Sequence, residues 1–97
     1  MQFLVIAYDG TDEKALDRRM ASREAHLAGV QKMKAEGKVL YGVAILGAGD
    51  RMAGSVMVVD FPSRAELDAW LRAEPYVIGN VWQKIEVLPA RVPPMFT

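Results

Sequence analysis

Two segments of this sequence, Gln2–Tyr8 and Met52–Phe61, are apolar at consecutive rather than alternate positions. Side chains along a strand point to opposite faces in turn, so a strand that is apolar throughout needs cover on both faces. In the first segment Phe3, Val5 and Ala7 share one face, while Leu4, Ile6 and the ring of Tyr8 share the other. In the second, Val56, Met57, Val58 and Val59 follow one another directly. Helices of the same chain can cover one face. A loop or tail of the size available here would struggle to cover the other, and a second copy's sheet would do so. The expected state is therefore a homodimer, joined through the sheet face away from the helices.

The punctuation between these segments sets the element order. Asp9-Gly10 is a turn pair that ends the first strand. Asp12 offers an N-cap, and Glu13 adds negative charge to a first helical turn. From there to Glu36 no Gly or Pro intervenes except Gly29, and Gly37 sits where a helix would stop. Lys38–Leu46 reads as a second strand and Gly47–Asp50 as a hairpin loop. Pro62 ends the third strand, and Ser63 with Glu66 forms a capping box opening a second helix through Arg72. Pro75 breaks that helix, a turn covers Tyr76–Asn80, and Trp82–Leu88 is a fourth strand. In it Ile85 and Val87 face one way, Lys84 and Glu86 the other. Pro89, Pro93 and Pro94 mark an extended tail. The order βαββαβ over 1–97 describes one α+β domain. Right-handed crossovers place strands one and three centrally in a four-stranded antiparallel sheet of order 4-1-3-2, with both helices on one face.

Composition removes several functions. Twelve basic residues balance twelve acidic ones, so no global field draws in nucleic acid or an anionic membrane. The absence of cysteine excludes disulfides, thiolate metal sites and thiol nucleophiles, and a single histidine excludes a histidine-rich metal cage. Neither a metal nor a cofactor is expected. The short apolar N-terminal run lacks the form of a signal peptide and could not span a bilayer, so a cytoplasmic protein is expected.

The first helix contains an anomaly. Projected at 100° per residue, Leu16, Met20, Leu27 and Val30 form an apolar stripe with Arg23 in its middle. Arg19 and His26 lie along the flank, and the three polar residues stack at i, i+4 and i+7. A guanidinium in an apolar stripe is costly unless it is paired or reaches water. Arg23 could snorkel or pair inside the fold. With Arg19 and His26 beside it, the face reads better as the wall of a cleft for an anionic or phenolic small molecule. The imidazole then needs a carboxylate to orient it. Asp9, at the lip of the sheet, and Glu74, held extended by Pro75, are the candidates. Each has an ordinary alternative, as a turn former and as a solvated helix-end acid.

These residues resemble the YciI-like (YCII-related) family. The matching features are the Asp9-Gly10 turn and Arg19 leading into Arg23-Glu24-Ala25-His26-Leu27. Gly37, Gly42 and Gly54-Ser55 follow, and Glu74-Pro75-Tyr76 stands where the family has Asp-Pro-Tyr. The chain departs from the pattern at Glu24 and Val43, where the family usually has proline, and at Glu74. The resemblance implies a dimeric ferredoxin-like α/β barrel with a cleft between helix and sheet. It also implies a histidine–carboxylate acid–base pair, with Ser55 and Tyr76 joining Arg19 and Arg23 in binding substrate. The leading expectation is a small cofactor-free lyase or isomerase acting on a polar cyclic or enolisable molecule. His26 would move the proton, oriented by Asp9 in preference to Glu74. The alternative is a non-catalytic ligand-binding or accessory domain. A haem- or quinone-type monooxygenase is a weaker third, because the arginines suit an anion better than a porphyrin.

Overall fold

The computed structural model describes residues 1–96. Four strands, β1 (Gln2–Asp9), β2 (Val39–Leu46), β3 (Met52–Asp60) and β4 (Trp82–Ala90), form one antiparallel sheet in the order β2-β3-β1-β4. Helix α1 (Ala15–Ala35) joins β1 to β2, and α2 (Arg64–Ala73) with the short α3 (Pro75–Ile78) joins β3 to β4. This is the βαββαβ arrangement expected from the sequence.

The register sorts side chains by face. Val5 lies opposite Met57 and Val87, and Phe3 opposite Val59, so these residues share the helix side; all are buried except Val87, which is partly covered. Leu67, Phe61, Tyr76, Val81 and Trp82 complete that core. Leu4, Ile6, Val56 and Val58 pair on the other face, joined by Val43 from β2 and Leu88 from β4. Residues 90–93 and Phe96 line a hollow over one end of this face with Leu4, Tyr41 and Val58, and the Val92 N–H donates to Gln2 Oε1. The remainder is open: Val43 is half exposed and so is Leu88.

Four local expectations need correction. Asp12 does not cap α1. Its carboxylate is held by two bonds from Arg18 (2.7 and 2.9 Å) and accepts the Lys14 N–H, so the chain turns first and the helix begins at Ala15. Residues 75–78 are a helical turn rather than a plain turn, with Pro75 at a position where its missing N–H costs nothing. Strand β4 continues through Pro89 to Ala90, because it is an edge strand and a proline there can turn its donor-less side to solvent.

The fourth correction concerns the face of α1. Ala15, Arg19 and His26 are its buried residues, with Ser22, Val30 and Met33 partly covered, whereas Met20 and Leu27 are about half exposed. The helix is thus rotated so that Arg19 and His26, rather than Met20 and Leu27, point inward. That orientation is tolerable only because each buried charge finds a partner.

Candidate active site

Two carboxylates meet the inward face of α1, at different heights. Asp9, the last residue of β1, accepts from Arg19 Nη1 through both oxygens (2.9 and 3.0 Å). Arg19 Nη2 donates to Ser55 Oγ at 3.0 Å, and Ser55 also accepts from Trp82 Nε1 at 3.2 Å. These are nearly inaccessible groups, and Arg19 Nε has no hydrogen-bond partner among the described residues. Burial pushes the Asp9 carboxyl above its ordinary value, and the Arg19 charge works against that rise.

His26 lies two turns further along α1. Its Nδ1 is 2.7 Å from Glu74 Oε1, and the same oxygen accepts the Tyr76 N–H at 2.9 Å. Glu74 is 3% exposed, so it is no solvated helix-end acid. The expectation that Asp9 orients His26 is therefore corrected: Arg19 takes Asp9, and the histidine's partner is Glu74. The local cause is the Glu74-Pro75 junction. Proline holds Glu74 extended (ψ 128°), so its side chain turns back to cap α3 and reaches α1. Glycine 79 lets α3 come this close. A Cβ there would collide with Ser22 Oγ of α1 and stand 3.0 Å from the Pro75 carbonyl oxygen.

A carboxylate can only accept, so the bond to Glu74 assigns the proton to Nδ1 of neutral His26 and leaves Nε2 as a lone-pair base. Among the described residues Nε2 has no protein partner, and His26 forms part of a cleft wall. The ring stacks on Tyr76 at 3.9 Å and meets the edge of Trp82 at 5.7 Å, while the Arg19 guanidinium lies 4.8 Å from the Tyr76 centroid. Burial raises the Tyr76 phenol above its ordinary value of 10.0, with Arg19 and Arg23 opposing, so the hydroxyl remains a donor at neutral pH.

The cleft, of about 490 Å³, lies between α1 and β2. Arg23, Leu27, Val30 and Lys34 form its helix side, and small residues Gly42 and Ala44 of β2 keep its floor low. Among the described residues no carboxylate lines it. Arg23 is half buried and makes no hydrogen bond or ion pair with a described residue. Arg19, Arg23, His26, Ser55 and Tyr76 therefore converge on one cleft with Glu74 behind the histidine. Asp9 stands behind Arg19 instead. Trp82 was not anticipated; a buried indole N–H requires an acceptor, and its place at the start of β4 was the available signal. No group of three or more His, Asp or Glu residues could hold a metal among the described residues, and no helix there is long and apolar enough to cross a membrane.

Residues 1–91 match the model of the YCII-related domain. The chain is 32% identical to Protein YciI of Escherichia coli O6:H1 over 95 residues, covering 92% of this chain and 95% of that one, and equally so to Protein YciI of Shigella flexneri. Among solved structures it is similar to TftG of Burkholderia phenoliruptrix AC1100, a 5-chloro-2-hydroxyhydroquinone dehydrochlorinase in complex with 2,5-dihydroxybenzoquinone. That likeness has a TM-score of 0.84 and 25% identity, over 98% of both chains. A dimeric ferredoxin-like protein of unknown function from Jannaschia sp. CCS1 shares the fold, with a TM-score of 0.52 and 18% identity over 94% of this chain and 98% of that one.

Proposed function

This protein belongs to the YCII-related domain family, and from that footing we propose that it is a cofactor-free enzyme of lyase or isomerase type acting on a hydroxylated, enolisable ring. The observation that carries the proposal is the buried Glu74–His26 pair, whose free Nε2 opens onto a cation-lined cleft. In the proposed step Nε2 removes a proton from a ring hydroxyl or an acidic C–H. Glu74 stabilises the imidazolium that forms, and Arg23 faces the developing oxyanion with the Tyr76 hydroxyl as a second donor. The imidazolium then returns its proton to a ring carbon, giving the keto tautomer, and an isomerisation ends there. In a lyase that carbon bears the leaving group. A second hydroxyl proton passes through Nε2 to water, and the new oxyanion becomes a conjugated carbonyl as the leaving group departs as its anion. The similarity to TftG, whose complex holds a dihydroxybenzoquinone, supports this substrate class.

We further propose that the open apolar sheet face pairs with that of a second copy, since Leu4, Ile6, Val56 and Val58 lie centrally on it.

The test is chloride release from 5-chloro-2-hydroxyhydroquinone and a panel of related hydroxylated rings. His26→Ala should reduce turnover by about 10²- to 10⁴-fold, the usual contribution of a general base. Glu74→Gln should impair the same step, and the double variant should be little worse than the worse single one. Tight binding with no turnover of any such ring would leave a non-catalytic ligand-binding domain as the better account.

A further inference from the structure

The cleft is longer than a single ring and differs at its two ends. Helix α1 and strand β2 run antiparallel after the Gly37 turn, with the Lys38 N–H donating to the Met33 carbonyl oxygen. Ala44 lies opposite Ser55, which marks the Arg19–His26 end, and Val39 lies beside the C-terminal turn of α1, near Lys34. Between these ends the walls are apolar, with Leu27 and Val30 from the helix facing Val39 and Leu40 from the strand. Lys34 closes the far end and forms no ion pair with a described residue. His26 and Lys34 are eight residues apart, about 12 Å along the helix at 1.5 Å per residue. A volume of about 490 Å³ falls within the range of pockets that enclose whole drug-sized ligands, roughly 300–1,000 Å³.

We propose that the substrate is a two-ended acid: a hydroxylated ring at His26, an apolar arm along Leu27 and Val30, and a second anionic group at Lys34. This inference rests on the reading of His26 and its cleft as the active site. The ring's own oxygens are met by Arg23, which leaves Lys34 as the cation for the end of the arm. The apolar stretch between them would be poorly matched by a short polar substrate, whose ends could not reach both charges.

Three probes test this by calorimetry: 2,5-dihydroxybenzoquinone, 5-(2,5-dihydroxyphenyl)pentanoate and the methyl ester of that acid. In the wild-type protein the acid should bind about three- to fivefold more tightly than its ester, the scale of an ion pair near a protein surface. In Lys34→Gln that preference should disappear, and added salt should erode it in the wild type. Equal binding of acid and ester to the wild type would overturn the inference. So would a preference that survives in Lys34→Gln, since the carboxylate would then be meeting another cation. If the quinone binds but the arm confers no advantage, only the two-ended substrate fails. If none of the three binds, the reading of the His26 cleft fails with it.

Discussion

Arg19 and Arg23 sit one turn apart on α1 and do different work. Arg19 is 3% exposed and matched by Asp9 and Ser55, so it is part of the protein's internal framework. Arg23 is half buried, unpaired among the described residues, and part of the cleft wall. Arg19→Leu should cost about 3–5 kcal/mol, because it strands a buried carboxylate. Arg23→Leu should change stability by less than about 1 kcal/mol while weakening binding of 2,5-dihydroxybenzoquinone by about tenfold or more, the loss of a charge-assisted hydrogen bond. Urea denaturation and calorimetry on the two variants separate these roles, and equal stability losses would contradict the division. Asp9 adds a pH signature. Burial raises its carboxyl above 3.8, so just above that pH the folded protein holds a proton that the unfolded chain has released. The folded state then binds more protons, and this residue's contribution to stability falls as pH rises through the window between the two values. Asp9→Asn should abolish that component. A wild-type advantage over Asp9→Asn that instead grows with pH would mean that Arg19 holds the carboxyl below its ordinary value.

Some elements are specified by local sequence signals, and others only by contacts distant in the chain. Strands β1 and β3 announce themselves by consecutive apolar residues, and Ser63 caps α2 as its spacing from Glu66 implies, with Oγ accepting the Glu66 N–H. These are local signals. The face of α1 is not local: its hydrophobic pattern favours Leu16, Met20 and Leu27, yet Arg19 and His26 turn inward because Asp9 and Glu74 wait there. The histidine–carboxylate pair spans 48 residues and depends on how α3 crosses α1, which no spacing rule reveals. Hence the residues that line the cleft are legible in the sequence, but the pairing of His26 with Glu74 is not. The α3–α1 contact makes its own prediction. Gly79→Ala has no backbone strain to overcome at φ −79°, so its cost comes from the collision with Ser22. Overpacking of this kind costs about 1–3 kcal/mol, and displacement of Glu74 from His26 should weaken ring binding as well. Ser22→Ala in the same chain should recover most of both losses; failure to do so would remove α3 seating from the explanation.

At the level of the whole molecule, one sheet has two different faces. The helix side holds the core and the cleft, and the open side presents Leu4, Ile6, Val56 and Val58 with only one end overlaid by the tail. A self-complementary contact across that face predicts a dimer at micromolar concentration by sedimentation equilibrium, and Val56→Glu should shift it to monomer. A stable wild-type monomer would contradict the proposed pairing. The molecule also contains a single histidine, so its imidazole nitrogens give one unambiguous set of NMR signals. Long-range ¹H–¹⁵N spectra, recorded where the ring is neutral and with 2,5-dihydroxybenzoquinone titrated in, report the proposed Glu74–His26 base and its cleft together. The expected result is a proton on Nδ1, an unprotonated Nε2, and a change at Nε2 as the quinone binds. A proton resident on Nε2, or an Nε2 signal indifferent to bound quinone, would contradict the assignment of His26 as the site's base.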